Sequence, residues 1–209
     1  STADTVKHVV YPVEENRKIE LFEQLLTEQN WFQVLVFTST KEQADQLLAG
    51  LQQRKIDAAV CHGDKSQGAR RRAIADFKSA KLQVLIATEV AARGLDIQGL
   101  DYVVNFHLPY LPEDYVHRIG RTGRAGAKGN AISFVSREEE QTLKRIQKLI
   151  GNDIARVVKP GFEVSNRESL LKSISRKVLT GRANKASETQ IELRANNKTA
   201  AKSKPRRNK

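Results

Sequence analysis

The sequence predicts an α/β layer fold, a mostly parallel sheet flanked by helices. Three observations carry that expectation. Short apolar runs alternate with amphipathic stretches along residues 1–158, as strands feeding crossover helices do. Most of the runs are continuous rather than alternating, which marks strands buried on both faces. The amphipathic stretches also begin at capping residues with helix spacing.

The first apolar run is residues 6–10, VKHVV. The second, 34–37, leads to Thr40 and Gln43, spaced as a capping box that satisfies two backbone donors reciprocally. Behind it Ala44, Leu47, Leu48 and Leu51 recur at i, i+3, i+4 and i+7, the stripe of a helix with one buried face. Run 58–61 precedes Ser66, placed to cap a helix to about Lys78. Run 84–87 follows, then 102–106, and after it Pro112 with Glu113 and Asp114 gives proline at a first helical position and acids in the first turn. Run 131–135 leads to Ser136 and Glu139, a second capping box, and to Leu143, Ile146, Leu149 and Ile150 on one helical face. The last run is 154–158. Beyond Pro160 and Gly161 the pattern weakens, with 169–179 expected as a short basic helix and nothing regular after Gly181.

Composition bounds the class. The chain has 209 residues, 39% of them hydrophobic, enough for one full-sized core. No apolar stretch approaches the ~20 residues of a membrane helix, and the first residues have neither a basic start nor an apolar run, so a soluble, unexported protein is expected. Cys61 is the single cysteine, which excludes an internal disulfide and fits the cytoplasm. With no methionine in the sequence, Ser1 is not expected to be a natural start, and the chain is expected to be a piece of a longer polypeptide. No repeat of about 20 to 50 residues occurs, which excludes a solenoid.

Charge divides the chain. Residues 1–150 carry 21 basic and 19 acidic side chains, residues 151–209 carry 15 and 5, so +10 of the formal +12 lies in the C-terminal extension. Lys198, Lys202, Lys204, Arg206, Arg207 and Lys209 sit among Asn, Ala, Ser and Thr, a composition that cannot bury enough surface to fold alone. Such a tail binds polyphosphate by counterion release or serves only as a solvated terminus. The expected organisation is a folded domain over 1–160, a linker or short basic helix over 161–181 and a disordered basic tail over 182–209.

Ligands of open α/β sheets bind outside the carboxyl ends of the strands. Three segments there carry unusual residues. In the first, 87–96, Thr88 offers a hydroxyl at a strand tip, Gly94 permits positive φ or a close backbone approach, and Asp96 is a carboxylate suited to a ribose hydroxyl; a helical turn closed by glycine accounts for the same residues. In the second, 117–129, four glycines at intervals of three are interleaved with arginines, a poor helix and a poor strand. The planar guanidinium forks of Arg121 and Arg124 match phosphate oxygens. In the third, 61–72, Gln67 and Arg70 share a face of a helix's first turn, beside free backbone donors and the positive end of its dipole. Cys61 and His62 lack the further ligands of a tetrahedral metal site, so no metal is expected.

Together these segments resemble the second RecA-like lobe of the DEAD-box RNA helicases of superfamily 2, over residues 6 to about 158. Residues 34–40 look like motif IV, Gln67 to Arg70 like the Q-x-x-R of motif IVa, 87–96 like motif V, and the H-R-I-G-R-T-G-R of 117–124 like a complete motif VI. The wording GDKSQGARRRAIADFK and PEDYVHRIGRTGRAGAKG is similar to that of the bacterial RhlE subgroup. The resemblance implies a RecA-like three-layer fold. It also implies that Arg121 and Arg124 are arginine fingers for the γ-phosphate of ATP, that Gly94 and Asp96 meet the ribose, and that His117 and Arg118 couple the cleft to the other lobe. Thr40, Gly63, Gln67, Arg70 and Thr88 would hold the backbone of single-stranded or short duplex RNA. One position departs from the family pattern, Glu89 where motif V usually reads A-T-D.

The phosphate loop, the D-E-A-D run, S-A-T and the Q motif are absent from these residues. ATP with Mg2+ is therefore expected to be bound mainly by an N-terminal RecA-like lobe of the same polypeptide, with this piece inactive alone. Ribosome-assembly or RNA-decay proteins are candidate partners, and a membrane is not. The alternative from another class is a non-catalytic RNA-binding or ribosome-associated module.

Overall fold

Continuous apolar runs become strands, and the central ones have both faces covered. In the computed structural model these are β1 (Val6–Pro12), β2 (Val34–Thr38), β3 (Ala58–Cys61), β4 (Val84–Thr88), β5 (Tyr102–Asn105), β6 (Gly129–Val135) and β7 (Ala155–Arg156). They form one sheet in the order β3-β4-β2-β5-β6-β1-β7, with every pairing parallel. The structure describes residues 6–123, 128–165, 171, 174–181, 190 and 194. Chain contacts divide it into two units, Ser1–Val164 and Ser165–Lys209. In the second unit residues 174–181 are helical and exposed, and most of the basic tail expected over 182–209 lies outside the described residues.

Alternation along each strand makes the three layers. Val34 and Val36 of β2 enter one cluster with Leu21, Phe22 and Leu25 of α1 (Lys18–Glu28) and Leu47 and Leu51 of α2 (Lys41–Gln53). Leu35 and Phe37 point the other way, to Phe77 of α3 (Gln67–Lys78) and Ala91 of the short α4 (Glu89–Arg93). Further along that second face, Val10 and Ala131 pack on Tyr115 and Ile119 of α5 (Pro112–Ile119) and Leu143 and Ile146 of α6 (Glu140–Ile150). Each fully buried Leu or Phe contributes about 1.5–3 kcal/mol of transfer free energy.

The expected helix signals are built. Thr40 and Gln43 form the reciprocal box of α2. Ser66 Oγ accepts from the Ala69 N–H at 3.1 Å to open α3, and Pro112 begins α5 after Leu111. Ser136 and Glu139 open a short 3-10 turn, Arg137–Glu139, ahead of α6, whose far end is closed by Gly151 at φ 76°, the left-handed region where glycine costs least.

Two ends differ from expectation. The run 154–158 pairs in register only at Ala155 and Arg156, the Val157 N–H making the last bond to the Val10 carbonyl at 2.8 Å, while the Val157 and Val158 side chains are exposed. Pro160 supplies no N–H with which the ladder could continue. The run 102–106 ends at Asn105: the Phe106 N–H makes the last ladder bond to the Phe37 carbonyl, and His107 leaves the ladder by turning its N–H onto the same carbonyl.

In this strand order β2 leads through α2 to one side of the sheet and β5 through α5 to the other. The carboxyl ends of β2 and β5 therefore flank the point where the strand order reverses.

Candidate functional site

Parallel strands put their carboxyl ends on one edge. Thr38 pairs with Thr88 and Cys61 with Ala87, so the segments leaving β2, β3 and β4 emerge side by side. That register brings Thr40, Gly63 and Thr88 to one place. Thr40 Oγ1 accepts from the Gln43 N–H at 3.1 Å, and Gln43 Oε1 accepts from the Ser39 and Thr40 N–H groups, each at 3.1 Å. Thr88 is 8% exposed and precedes α4.

The loop after β3 is fixed from below. His62 is buried, its Nε2 lies 2.9 Å from Asp45 Oδ1, and its Nδ1 accepts the Asp64 N–H at 3.2 Å. An imidazole that accepts at Nδ1 carries its proton at Nε2 and donates it to the carboxylate. Gln67, exposed, and Arg70, half-buried, follow in the first turn of α3, which contains no acidic side chain. Unpaired N–H groups, the positive dipole end and Arg70 make this an anion-attracting corner.

A second cluster joins α4 to α5. Arg118 is 2% exposed. Its Nε donates to Glu89 Oε2 at 2.5 Å, its Nη1 donates to Asn105 Oδ1 at 3.0 Å and to the His107 carbonyl at 2.7 Å, and its guanidinium lies 4.9 Å from the Phe37 ring centre. Burial works to lower its pKa, and the Glu89 carboxylate opposes that. Glu89, the first residue of α4, reaches the guanidinium with its full side chain. Arg121 donates to the carbonyls of Ala92, at 2.8 Å, Leu95 and Ile97. It thereby holds the loop that contains Gly94 and Asp96.

Gly94 ends α4 at φ −90° with nothing within 4 Å of the position a Cβ would take. This corrects the expectation of positive φ, and the helical turn closed by glycine is the geometry present; the open space above it leaves the backbone accessible to a close approach. Asp96 is 97% exposed, 3.9 Å from Lys78. His117 is 72% exposed, with Nδ1 3.7 Å from Asp114, whose other neighbour is Arg93 at 3.9 Å. Glu89, Arg93, Gln98, His117, Arg118 and Arg121 border a groove of about 400 Å³. Gln98 separates it from a second, of about 640 Å³, that contains Lys78, Asp96 and Gly123. Arg124 lies outside the described residues.

The structure thus gathers the expected residues into two groups, Thr40, Gly63 and Thr88 at the strand tips, and Arg121 with the Gly94–Asp96 loop. It places Arg118 inside the lobe, not at its face. Sequence reasoning missed the partners Glu89 for Arg118 and Asp45 for His62. Neither pair lies at helix or strand spacing, so no local pattern announces it. Among the described residues no group of three or more His, Cys, Asp or Glu side chains is placed to hold a metal ion, and no helix is long and apolar enough to cross a membrane.

Comparison with known proteins gives a consistent result. The family described as helicase conserved C-terminal domain matches residues 17–126. The ATP-dependent RNA helicase RhlB of Pseudomonas syringae pv. tomato is 39% identical over 153 residues, 73% of this chain and 38% of that protein. Among solved structures, Escherichia coli DEAD-box protein SrmB bound to regulator of ribonuclease activity A is 32% identical with a TM-score of 0.73, over 78% of this chain and 96% of that one. Saccharomyces cerevisiae Dbp5 bound to RNA and ADP BeF3 is 34% identical with a TM-score of 0.69, over 84% and 46%. The chain spans between 29% and 38% of the length of the curated relatives it matches first.

Proposed function

The chain belongs to the helicase conserved C-terminal domain family, in its DEAD-box branch, and on that premise we propose that it is the C-terminal lobe of an ATP-dependent RNA helicase. It supplies arginine fingers and part of an RNA backbone site for local, ATP-driven unwinding of short duplexes. The observation that carries this reading is the grip of Arg121 on the Ala92, Leu95 and Ile97 carbonyls. Residues assigned to the triphosphate and to the ribose are tied into one body, so nucleotide contact at either is felt by both.

In the reaction Arg121 and Arg124 face the γ-phosphate and stabilise the charge that spreads over its oxygens as the bond to the leaving group breaks. Such fingers are commonly worth about 10³ to 10⁵ in rate. Gly94 and Asp96 meet the ribose. ATP and its Mg2+ are held mainly by the N-terminal RecA-like lobe of the same polypeptide, and the Mg2+ neutralises phosphate charge there.

Thr40, Gly63, Gln67, Arg70 and Thr88 hold sugar and phosphate of one strand. Backbone contacts position RNA without reading its bases. His117, at the lobe surface, couples the closed cleft to the other lobe, and Arg118 does so from inside through Glu89. Closure over both ligands bends the bound strand, and release of phosphate reopens the cleft.

Residues 1–160 form the lobe, 161–181 the connecting segment, and the basic residues of 182–209 add RNA affinity without sequence preference. The wording around motifs IVa and VI supports membership of the RhlE subgroup, and the setting is the cytoplasm, with ribosome-assembly or RNA-decay proteins as partners.

The test is Arg121→Ala in the two-lobed polypeptide. ATP turnover is expected to fall by at least about 10³-fold while RNA affinity is kept. Turnover equal to the parent's would remove the finger assignment, and a two-lobed parent that binds RNA without hydrolysing ATP would leave a non-catalytic RNA-binding module as the better account.

A further inference from the structure

Lys41 has no role in the site described so far, yet its ammonium stands over Gly63. A Cβ added at Gly63 would lie 3.4 Å from Lys41 Cε and 3.5 Å from Nζ. Nζ is held there by Asp64 Oδ1 at 2.8 Å, in an ion pair whose side chains are 46% and 68% exposed. Both ends are fixed. Lys41 directly follows the capping Thr40 as the first residue of α2, and the Asp64 N–H is bonded to buried His62, itself anchored on Asp45.

The cation therefore sits over Gly63, on a residue next to Thr40, and the carboxylate beside it occupies the place of an anionic oxygen. A carboxylate oxygen and a phosphodiester oxygen are alternative partners for an ammonium. An exposed ion pair is weak enough for one to displace the other.

We propose that Lys41 is a further RNA-backbone contact, aimed by Asp64 in the free lobe and transferred to a phosphate when single-stranded RNA reaches Thr40 and Gly63. Asp64 is then a competitor that sets the affinity of the site. The inference rests on the RNA-site reading above and adds its regulation.

The experiment measures binding of a fluorescent single-stranded RNA to the 209-residue chain across a KCl series, for the parent, Lys41→Gln, Asp64→Asn and Arg70→Gln. Removing one cation from a single-strand phosphate lowers the slope of log affinity against log salt by ~0.7 and the affinity by about fivefold at ~0.1 M salt. Lys41→Gln is expected to show both changes. Asp64→Asn is expected to bind more tightly than the parent, because its lysine is already released. Arg70→Gln reports on the RNA site itself. If Arg70→Gln loses affinity while Lys41→Gln keeps the parent's affinity and slope, the Lys41 assignment is overturned and the RNA site stands. Weaker binding by Asp64→Asn overturns the exchange. If neither Lys41→Gln nor Arg70→Gln alters binding, the RNA site and the inference fall together.

Discussion

Arg118 Nε donates to Glu89 Oε2 at 2.5 Å, a contact between the residue after the β4 strand tip and a helix 29 positions later. Arg118 is 2% exposed and Glu89 21%. Removing the carboxylate leaves a buried guanidinium without its counter-charge, which costs about 3 kcal/mol at the low end of such losses. Glu89→Ala is expected to lower the urea midpoint accordingly, and Glu89→Asp, whose reach is one methylene shorter, to fall between the two. A Glu89→Ala midpoint equal to the parent's would show that Asn105 and the His107 carbonyl satisfy Arg118 by themselves.

Glu15 links stability to acid. Burial works to raise its carboxyl pKa, but hydrogen bonds from His107 and Lys18, reinforced by their charges, outweigh it and hold the group at about 2 against an ordinary 4.5. A carboxyl depressed in the folded state stabilises above its unfolded pKa, and that contribution disappears as pH falls through the folded value. Glu15→Gln is therefore expected to melt below the parent at pH 7, with the difference shrinking from pH 4.5 downward and closing near pH 2. Melting curves across that range decide it, and a constant difference would remove the linkage.

Gly129 has no room for a side chain. A Cβ there would lie 2.2 Å from Thr122 Oγ1 and 2.3 Å from the Gly123 nitrogen. The obstruction includes backbone, so a rotamer change does not relieve it. Gly129→Ala is expected to cost about 1–3 kcal/mol and to displace the segment that follows Arg121. Denaturation gives the first, and changed amide shifts at Thr122 and Gly123 the second. Unmoved shifts would mean that β6 yields instead.

Nine basic residues lie in 182–209. Deleting them is expected to weaken RNA binding and flatten its salt dependence by ~0.7 for each phosphate no longer neutralised, with turnover of the two-lobed polypeptide at saturating RNA unchanged. An unchanged slope would leave the segment a solvated terminus.

Much of the fold is legible in the sequence because its signals are local. Thr40 with Gln43, Ser66 and Pro112 act on backbone groups within four residues, so their spacing alone marks where α2, α3 and α5 begin. Gly94 misleads about φ for the same reason. A five-residue α4 is too short to display a periodic stripe, so its closing glycine resembles one chosen for backbone freedom.

Lys18 marks the limit of such reasoning. As a lysine near the start of α1 it belongs in water, yet it is fully buried, donating to the Phe106 carbonyl at 2.8 Å and paired with Glu15 and Glu139. Its partners come from three separate segments, and burial is tolerable only because all of them converge.

The sequence by itself determined the seven apolar runs, the caps between them, and hence a parallel sheet with its loops on one edge, because strand and helix periodicity record which faces are buried. Only the tertiary structure decided the strand order that sets Thr40, Gly63 and Thr88 side by side, the turning of Arg118 inward to Glu89, and the placing of Lys41 over Gly63 against Asp64. The two ion pairs join residues 23 and 29 positions apart. Their free energy exists only once packing has brought the segments together, so it leaves no periodic trace in the chain.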